Sequence, residues 1–109
     1  MNNKEFVNKF FNETDKLAFK KHNRLSYEMN VFYSYGTAIA KITKDINGEN
    51  VLLIGNDIIS FHNFSKNISK HRDLIICLAN KSGLKIYEAP QICKNIDFYP
   101  DWIIKEITV

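Results

Sequence analysis

The sequence predicts a single α+β domain in which an antiparallel sheet of about four to five strands carries two helices on one face. The chain has 109 residues, which suits one domain with one core. Hydrophobic residues make up 45% and charged residues 25%, as in ordinary globular proteins. Apolar side chains recur with a helical period in two segments and with period two in several others. The predicted order of elements is αβββαββ, and the domain spans residues 1–109.

The first predicted element is a helix over residues 3–22. Asn2 can cap its first turn, and Glu5 stands three positions later, as in a capping box. Lys20, Lys21 and His22 fall in the last turn, where cations suit the helix dipole, and Asn23 can end the helix. The apolar stripe consists of Phe6, Val7, Phe10, Phe11, Leu17 and Ala18.

Residues 25–35 alternate with period two and predict one half-buried strand. One face, which we assign to the core, holds Leu25, Tyr27, Met29, Val31, Tyr33 and Tyr35. Phe32 then points away from the core. Gly36 breaks the pattern before a second strand over residues 37–43.

A hairpin and a second helix complete the predicted order. Residues 45–48 end in Asn47-Gly48, which favours a type I′ turn into a third strand over residues 51–54. Residues 58–64 fit a further short strand. A helix over about 66–82 follows, with Ser65 as cap and Gly83 as stop. Strands are then predicted over 84–88 and 102–109, with a loop over 91–101.

The second helix is expected to bury one apolar face. That face consists of Ile68, His71, Ile75, Leu78 and Ala79. Lys70 and Arg72 are assigned to the solvated side. Cys77 lies in an apolar run, so we expect a shielded, reduced thiol there, and a second reduced thiol at Cys93.

Composition indicates the kind of genome and limits the kinds of partner. Asn, Ile and Lys supply 41 of the 109 residues. Their codons are rich in A and T, which is typical of a low-GC bacterium or its phage. The net charge is +3, and the whole surplus lies in residues 1–24. Such a mild excess favours at most weak, non-specific contact with nucleic acid.

Several classes of protein are not expected from this sequence. The N-terminus lacks the pattern of a signal peptide, and no apolar run is long enough to cross a bilayer, so we expect a cytoplasmic protein without membrane contact. No phosphate loop or dinucleotide-binding pattern is present, and the two cysteines lack His partners at metal-ligand spacing. We therefore predict no cofactor and no metal.

One cluster of polar residues has both a catalytic and a structural interpretation. It consists of His62, Lys70, His71, Arg72 and Asp73. In a nuclease-like site, His71 would transfer protons while a neighbouring cation holds phosphate. In the structural alternative, His71 lies on the buried face of the helix and makes one internal hydrogen bond. Converging carboxylates are lacking, so we favour the structural role and predict no enzyme.

The residues most suited to contact a partner lie at the end of the first segment and in the first strand. Phe19 falls outside the apolar stripe, and Phe32 is assigned to the non-core face. Arg24 lies between them in sequence, and Lys20 and Lys21 add positive charge. Aromatic and Arg side chains ringed by polar residues are typical anchors of protein interfaces. These five residues form the predicted partner-binding set.

Two segments resemble a family of small phage and prophage proteins of low-GC bacteria. They are residues 32–40, Phe-Tyr-Ser-Tyr-Gly-Thr-Ala-Ile-Ala, and residues 68–71, Ile-Ser-Lys-His. The family pattern is a Ser-Tyr-x-Thr-Pro-Ile-Ala strand followed by a Thr-Ser-Lys-His helix start. This chain has Ala38 in place of the Pro. It has Asn67-Ile68 where the family has Thr before Ser-Lys-His. The resemblance, over residues 31–73, implies an accessory gene of a phage and no catalytic residue.

Three functions remain to be weighed. The first is a non-enzymatic protein that binds a host protein stoichiometrically, for example as an inhibitor of a CRISPR effector. The second is a nucleic-acid-binding accessory or regulatory protein that uses the basic N-terminal helix. The third is a nuclease or nucleotide-processing enzyme built on His62, His71 and Asp73. We expect the first. The sequence leaves the identity of the partner and the oligomeric state open.

Overall fold

A computed structural model describes residues 1–12, 18–45, 47–55, 66–89, 92 and 105–107. In this part of the chain two helices and one seven-stranded mixed sheet confirm the α+β class, and the sheet has more strands than predicted. The helices are α1 (Asn3–Asn12) and α2 (Lys66–Lys81). The strands are β1 (Lys20–His22), β2 (Leu25–Glu28), β3 (Val31–Ser34), β4 (Thr37–Lys44), β5 (Asn50–Gly55), β6 (Lys85–Ala89) and β7 (Lys105–Ile107).

The seven strands lie in the sheet in the same order as in the sequence. Strands β1 to β5 form an antiparallel meander, and β7 is antiparallel to β6. Between them, β5 and β6 are parallel, because helix α2 carries the chain back along the sheet. The predicted sheet was antiparallel throughout, so this parallel pair is a correction.

The first predicted helix is correct over residues 3–12 and wrong at residues 20–22, while residues 13–17 lie outside the described residues. The Glu5 amide donates to Asn2 Oδ1 at 2.8 Å, which confirms the cap. Residues 20–22 form strand β1 instead of a last helical turn. Asn23 has a positive φ of 54°, but it closes the β1–β2 turn instead of a helix. Leu17 lies outside the described residues.

The predicted strand over 25–35 is in fact two strands separated by a two-residue turn. Met29 and Asn30 have φ values of 55° and 65°, the positive values that a type I′ turn requires at both central positions. The turn reverses the chain, so the alternation of faces restarts at Val31. Phe32 therefore faces the helices beside its register partner Tyr27. The assignment of Phe32 to the non-core face was wrong for this reason.

The β4–β5 hairpin is confirmed, although its turn is not type I′. Gly48 has a φ of 78°, while Asn47 does not lie in the positive-φ region. Asp45 organises the turn, because its Oδ1 accepts hydrogen bonds from the amides of Asn47 at 2.8 Å and Glu49 at 2.9 Å. An Asx-type turn of this kind competes with the two-residue turn that Asn-Gly favours.

Helix α2 agrees with its predicted bounds and differs from the prediction in the burial of two residues. Gly83, with a φ of 78°, ends it as expected. Arg72 is buried, against the prediction, and Cys77 is exposed instead of shielded. Ser65, Cys93 and the segments 58–64 and 93–104 lie outside the described residues. Of the predicted last strand, residues 105–107 are described as β7.

The sheet is buried on both faces. Residues of α1 and α2 pack with one face of the sheet into a single core, which confirms that both helices lie on one side. Phe6, Phe10, Tyr27 and Phe32 form an aromatic group within it, with ring centroids 5.1–6.4 Å apart. A smaller cluster on the other face contains Val31, Leu53, Ala89 and Ile92.

Candidate functional site

An open groove of about 340 Å³ lies where two hairpin turns meet at one end of the sheet. One turn, Asn23-Arg24, joins β1 to β2, and the other, Tyr35-Gly36, joins β3 to β4. The groove is lined by Phe19, Lys21, Asn23, Arg24, Leu25, Ser26, Tyr35 and Gly36. Both turns are only two residues long. The backbone around the groove therefore lies directly beside residues that are hydrogen-bonded in the sheet.

Two aromatic side chains are unusually exposed at this groove. Phe19 is 58% exposed and Tyr35 is 47% exposed. Tyr35 also has a positive φ of 52°, which is uncommon for a bulky residue. It is followed by Gly36 with a φ of 78°, so both central residues of the turn lie in the left-handed region.

Tyr35 lies at the centre of a three-residue stack. The Arg24 Cζ atom lies over the Tyr35 ring, 5.8 Å from its centroid. The His71 ring, from α2, stacks on Tyr35 with a centroid distance of 5.9 Å and an interplanar angle of 17°. The Tyr35 amide also donates to the Arg24 carbonyl at 2.9 Å. The stack therefore ties both turns to the helix, and we call it the Arg24–Tyr35–His71 stack.

His71 is held from the interior by Ser34. Its Nδ1 lies 2.6 Å from Ser34 Oγ, at the end of β3. Burial lowers the pKa of His71 below its ordinary value of 6.5, because desolvation disfavours the charged imidazolium. A Ser–His pair at this distance resembles a nucleophile and its base. Ser34, however, is fully buried, so its Oγ is not placed to attack a substrate. The contact instead orients the His71 ring.

The groove is cationic. Lys21 and Arg24 are exposed, and no acidic side chain is among the residues that line the groove. Neither cation forms an ion pair with another residue in the described part of the chain. Two exposed aromatic rings and two cations without acidic partners therefore share one surface.

The structure brings three of the five predicted contact residues together. Phe19, Lys21 and Arg24 all line the groove. Lys20 does not, because alternation along β1 turns it toward the face of its register partner Tyr27. Phe32 is 0% exposed and packs between Phe6 and Phe10, so it is removed from the predicted contact set.

Tyr35 was not predicted as a groove residue, because the alternation of residues 25–35 put it on the core face of one continuous strand. The available signal was the Tyr-Gly pair, since Gly at the second position of a two-residue turn is a common hairpin pattern.

The predicted nuclease-like cluster is not assembled among the described residues. Arg72 is buried and donates from Nε to the Gly55 carbonyl at 2.7 Å and from Nη2 to Glu88 Oε1 at 3.1 Å. Asp73 is exposed and lies 3.9 Å from Arg72 Nη1. His71 faces Ser34 and Tyr35 instead. His62 lies outside the described residues.

Within the described ranges no group of three or more His, Cys, Asp or Glu side chains is arranged to hold a metal ion. No helix there is long and apolar enough to cross a membrane. In comparisons with protein-family models, curated proteins and solved structures, nothing matched this chain.

Proposed function

We propose that this protein acts without catalysis, by stoichiometric binding of a host protein at the groove formed by the two hairpin turns. The single observation that supports this most is the convergence of Phe19, Lys21, Arg24 and Tyr35 on one exposed surface. Aromatic and Arg side chains supply most of the energy in protein interfaces when they are presented on a rigid support. Here the support is a pair of two-residue turns fixed to helix α2.

The proposed setting is a phage or other mobile element. It is supported by the abundance of Asn, Ile and Lys, whose codons are rich in A and T, and by the resemblance of residues 31–73 to small phage proteins. A protein of this size with a preformed contact surface can disable a larger target by occupying it. Inhibition of a host defence effector, such as a CRISPR nuclease, is the specific form of this proposal.

The groove favours a protein target over the nucleic-acid alternative. That alternative required one basic helix over residues 3–22. Helix α1 ends at Asn12 and carries only Lys4 and Lys9 as cations, while Lys20, Lys21 and Arg24 belong to the β1–β2 hairpin. So few positive charges support weak, salt-sensitive contact with phosphates.

The test is affinity capture from a host lysate, with and without nuclease treatment. We expect a host protein to be retained after nuclease treatment by the wild type and to be lost with Phe19→Ala and with Arg24→Gln. Met29→Ala and Lys81→Gln are the matched controls, because Met29 and Lys81 are also exposed but lie outside the groove. Retention that disappears with nuclease would favour nucleic-acid binding. Equal retention of the host protein by all variants would show that the groove is not part of the interface.

A further inference from the structure

Arg24 has the features of a preorganised anion receptor. Its guanidinium lies over the Tyr35 ring, and Tyr35 is fixed in turn by His71. The Arg24 side chain donates no hydrogen bond to another described residue, so its N–H groups are available for bidentate hydrogen bonds. Arg24 has no acidic partner in the part of the chain that the structure describes. The side-chain entropy that binding an anion normally costs is therefore partly removed in advance.

The surroundings of Arg24 favour an anion that lies beside an apolar group. Lys21 adds a second positive charge in the same groove, and Phe19 presents a largely exposed ring. We propose that the groove receives an acidic peptide segment of the partner protein, with a carboxylate on Arg24 and Lys21 and an apolar side chain on Phe19. This inference rests on the proposed function and specifies the chemistry of the partner.

The groove is less suited to a single-stranded nucleic acid. Such ligands stack bases on open aromatic faces and need several cations along the phosphate backbone. Arg24 lies over the Tyr35 ring and His71 stacks on it, so stacking contacts already occupy part of that ring. Phe19 is the more exposed of the two rings in the groove, and it lies beside two cations. A carboxylate next to an apolar side chain matches this arrangement better.

The experiment compares three labelled probes of equal length by fluorescence anisotropy at low salt. The first is a short peptide with Glu residues on both sides of a central Phe, the second replaces each Glu by Gln, and the third is oligothymidylate. We expect the Glu peptide to bind at least about tenfold more tightly than either other probe. In ¹H–¹⁵N spectra, its addition should shift the amides of Phe19, Lys21, Arg24 and Gly36.

Variants locate the interaction on the groove. Arg24→Gln should weaken binding of the Glu peptide by about tenfold, because a charge-assisted bidentate contact is lost. Lys81→Gln, the matched control on α2, should leave the affinity unchanged. Equal losses in the two variants, an absence of binding by the Glu peptide, or tighter binding of oligothymidylate would each overturn the inference.

The outcomes separate this inference from the proposed function. If a host protein binds through Phe19 and Arg24 but neutralising the acidic residues of its contact segment has no effect, the acidic-segment inference fails while the proposed function stands. If the Glu peptide occupies the groove but no host protein depends on Phe19 or Arg24, the inference stands and the proposed function fails.

Discussion

Phenylalanine and arginine occur in each of two contrasting regions of the molecule. In the core, Phe32 is fully buried among aromatic rings, and Arg72 donates to Glu88 and to the Gly55 carbonyl. At the groove, Phe19 is mostly exposed, and Arg24 lies over Tyr35 without an acidic partner among the described residues. The same two residue types therefore stabilise the fold in one region and remain available to a partner in the other.

The core phenylalanine should give the largest effect on stability. Phe32→Ala should lower the free energy of unfolding by about 3–5 kcal/mol, because it leaves a cavity beside Phe6, Phe10 and Tyr27. Phe19→Ala, its exposed counterpart, should change it by less than about 0.5 kcal/mol. Urea unfolding followed by circular dichroism measures both. Similar losses in the two variants would contradict the contrast between core and groove.

The buried arginine should give the next largest effect. Arg72→Ala should cost about 3 kcal/mol, because it leaves the Glu88 carboxylate buried without its Arg72 contact. Arg72→Met, which removes the charge but keeps a long apolar side chain, should cost a similar amount, since the contact with Glu88 is lost in both variants. Arg24→Gln should alter the free energy of unfolding little. If Arg72→Met were as stable as the wild type, the contact between Arg72 and Glu88 would not explain the cost.

His71 links the two regions, and its loss should have an intermediate effect. His71→Ala should lower the free energy of unfolding by about 1–2 kcal/mol, because the contact with Ser34 is lost. It should also weaken partner binding, since Tyr35 loses the ring against which it stacks. His71→Ala without a change in either quantity would contradict the role assigned to the Arg24–Tyr35–His71 stack.

The pH dependence of stability gives a smaller and more specific effect. Burial lowers the pKa of His71 in the folded protein below 6.5, so the unfolded chain binds this proton more readily. The free energy of unfolding should therefore fall as the pH drops from above 6.5 toward the lowered pKa. Urea titrations at pH 7.5 and 5.5 should show a smaller fall in His71→Gln than in the wild type. Equal falls in both would exclude a contribution from His71.

Local sequence patterns predicted those elements whose signals do not depend on distant contacts. The Asn2 cap, strand β4, the Asp45 hairpin and the Gly83 stop each follow from a few neighbouring residues. Strand β1 was predicted as helix, because the cations of Lys20-Lys21-His22 suit either a helix end or an exposed edge strand. The parallel pairing of β5 with β6 depends on how α2 crosses the sheet, which no local pattern records.

The candidate site was only partly predictable for a related reason. The Met29-Asn30 turn lacks glycine, so residues 25–35 were predicted as one continuous strand with Phe32 on the face away from the helices. In the structure Val31 and Tyr33 lie on that face, where they belong to the smaller cluster, and Phe32 faces the helices. Arg72 follows Ile68 by four positions and precedes Ile75 by three, which places it on the buried face of α2. Because Arg72 is charged, its side chain was predicted to be exposed to solvent. Its buried acceptor Glu88 is distant in sequence and can be recognised only in the three-dimensional structure.

The most direct test of the account is a calorimetric titration of the captured host protein with wild type and with Phe19→Ala/Arg24→Gln. The account predicts about one binding protein per target for the wild type. For the double variant it predicts an affinity at least about tenfold lower, with an almost unchanged melting temperature. An unchanged affinity of the folded double variant, or inactivation of many targets by one molecule, would contradict it.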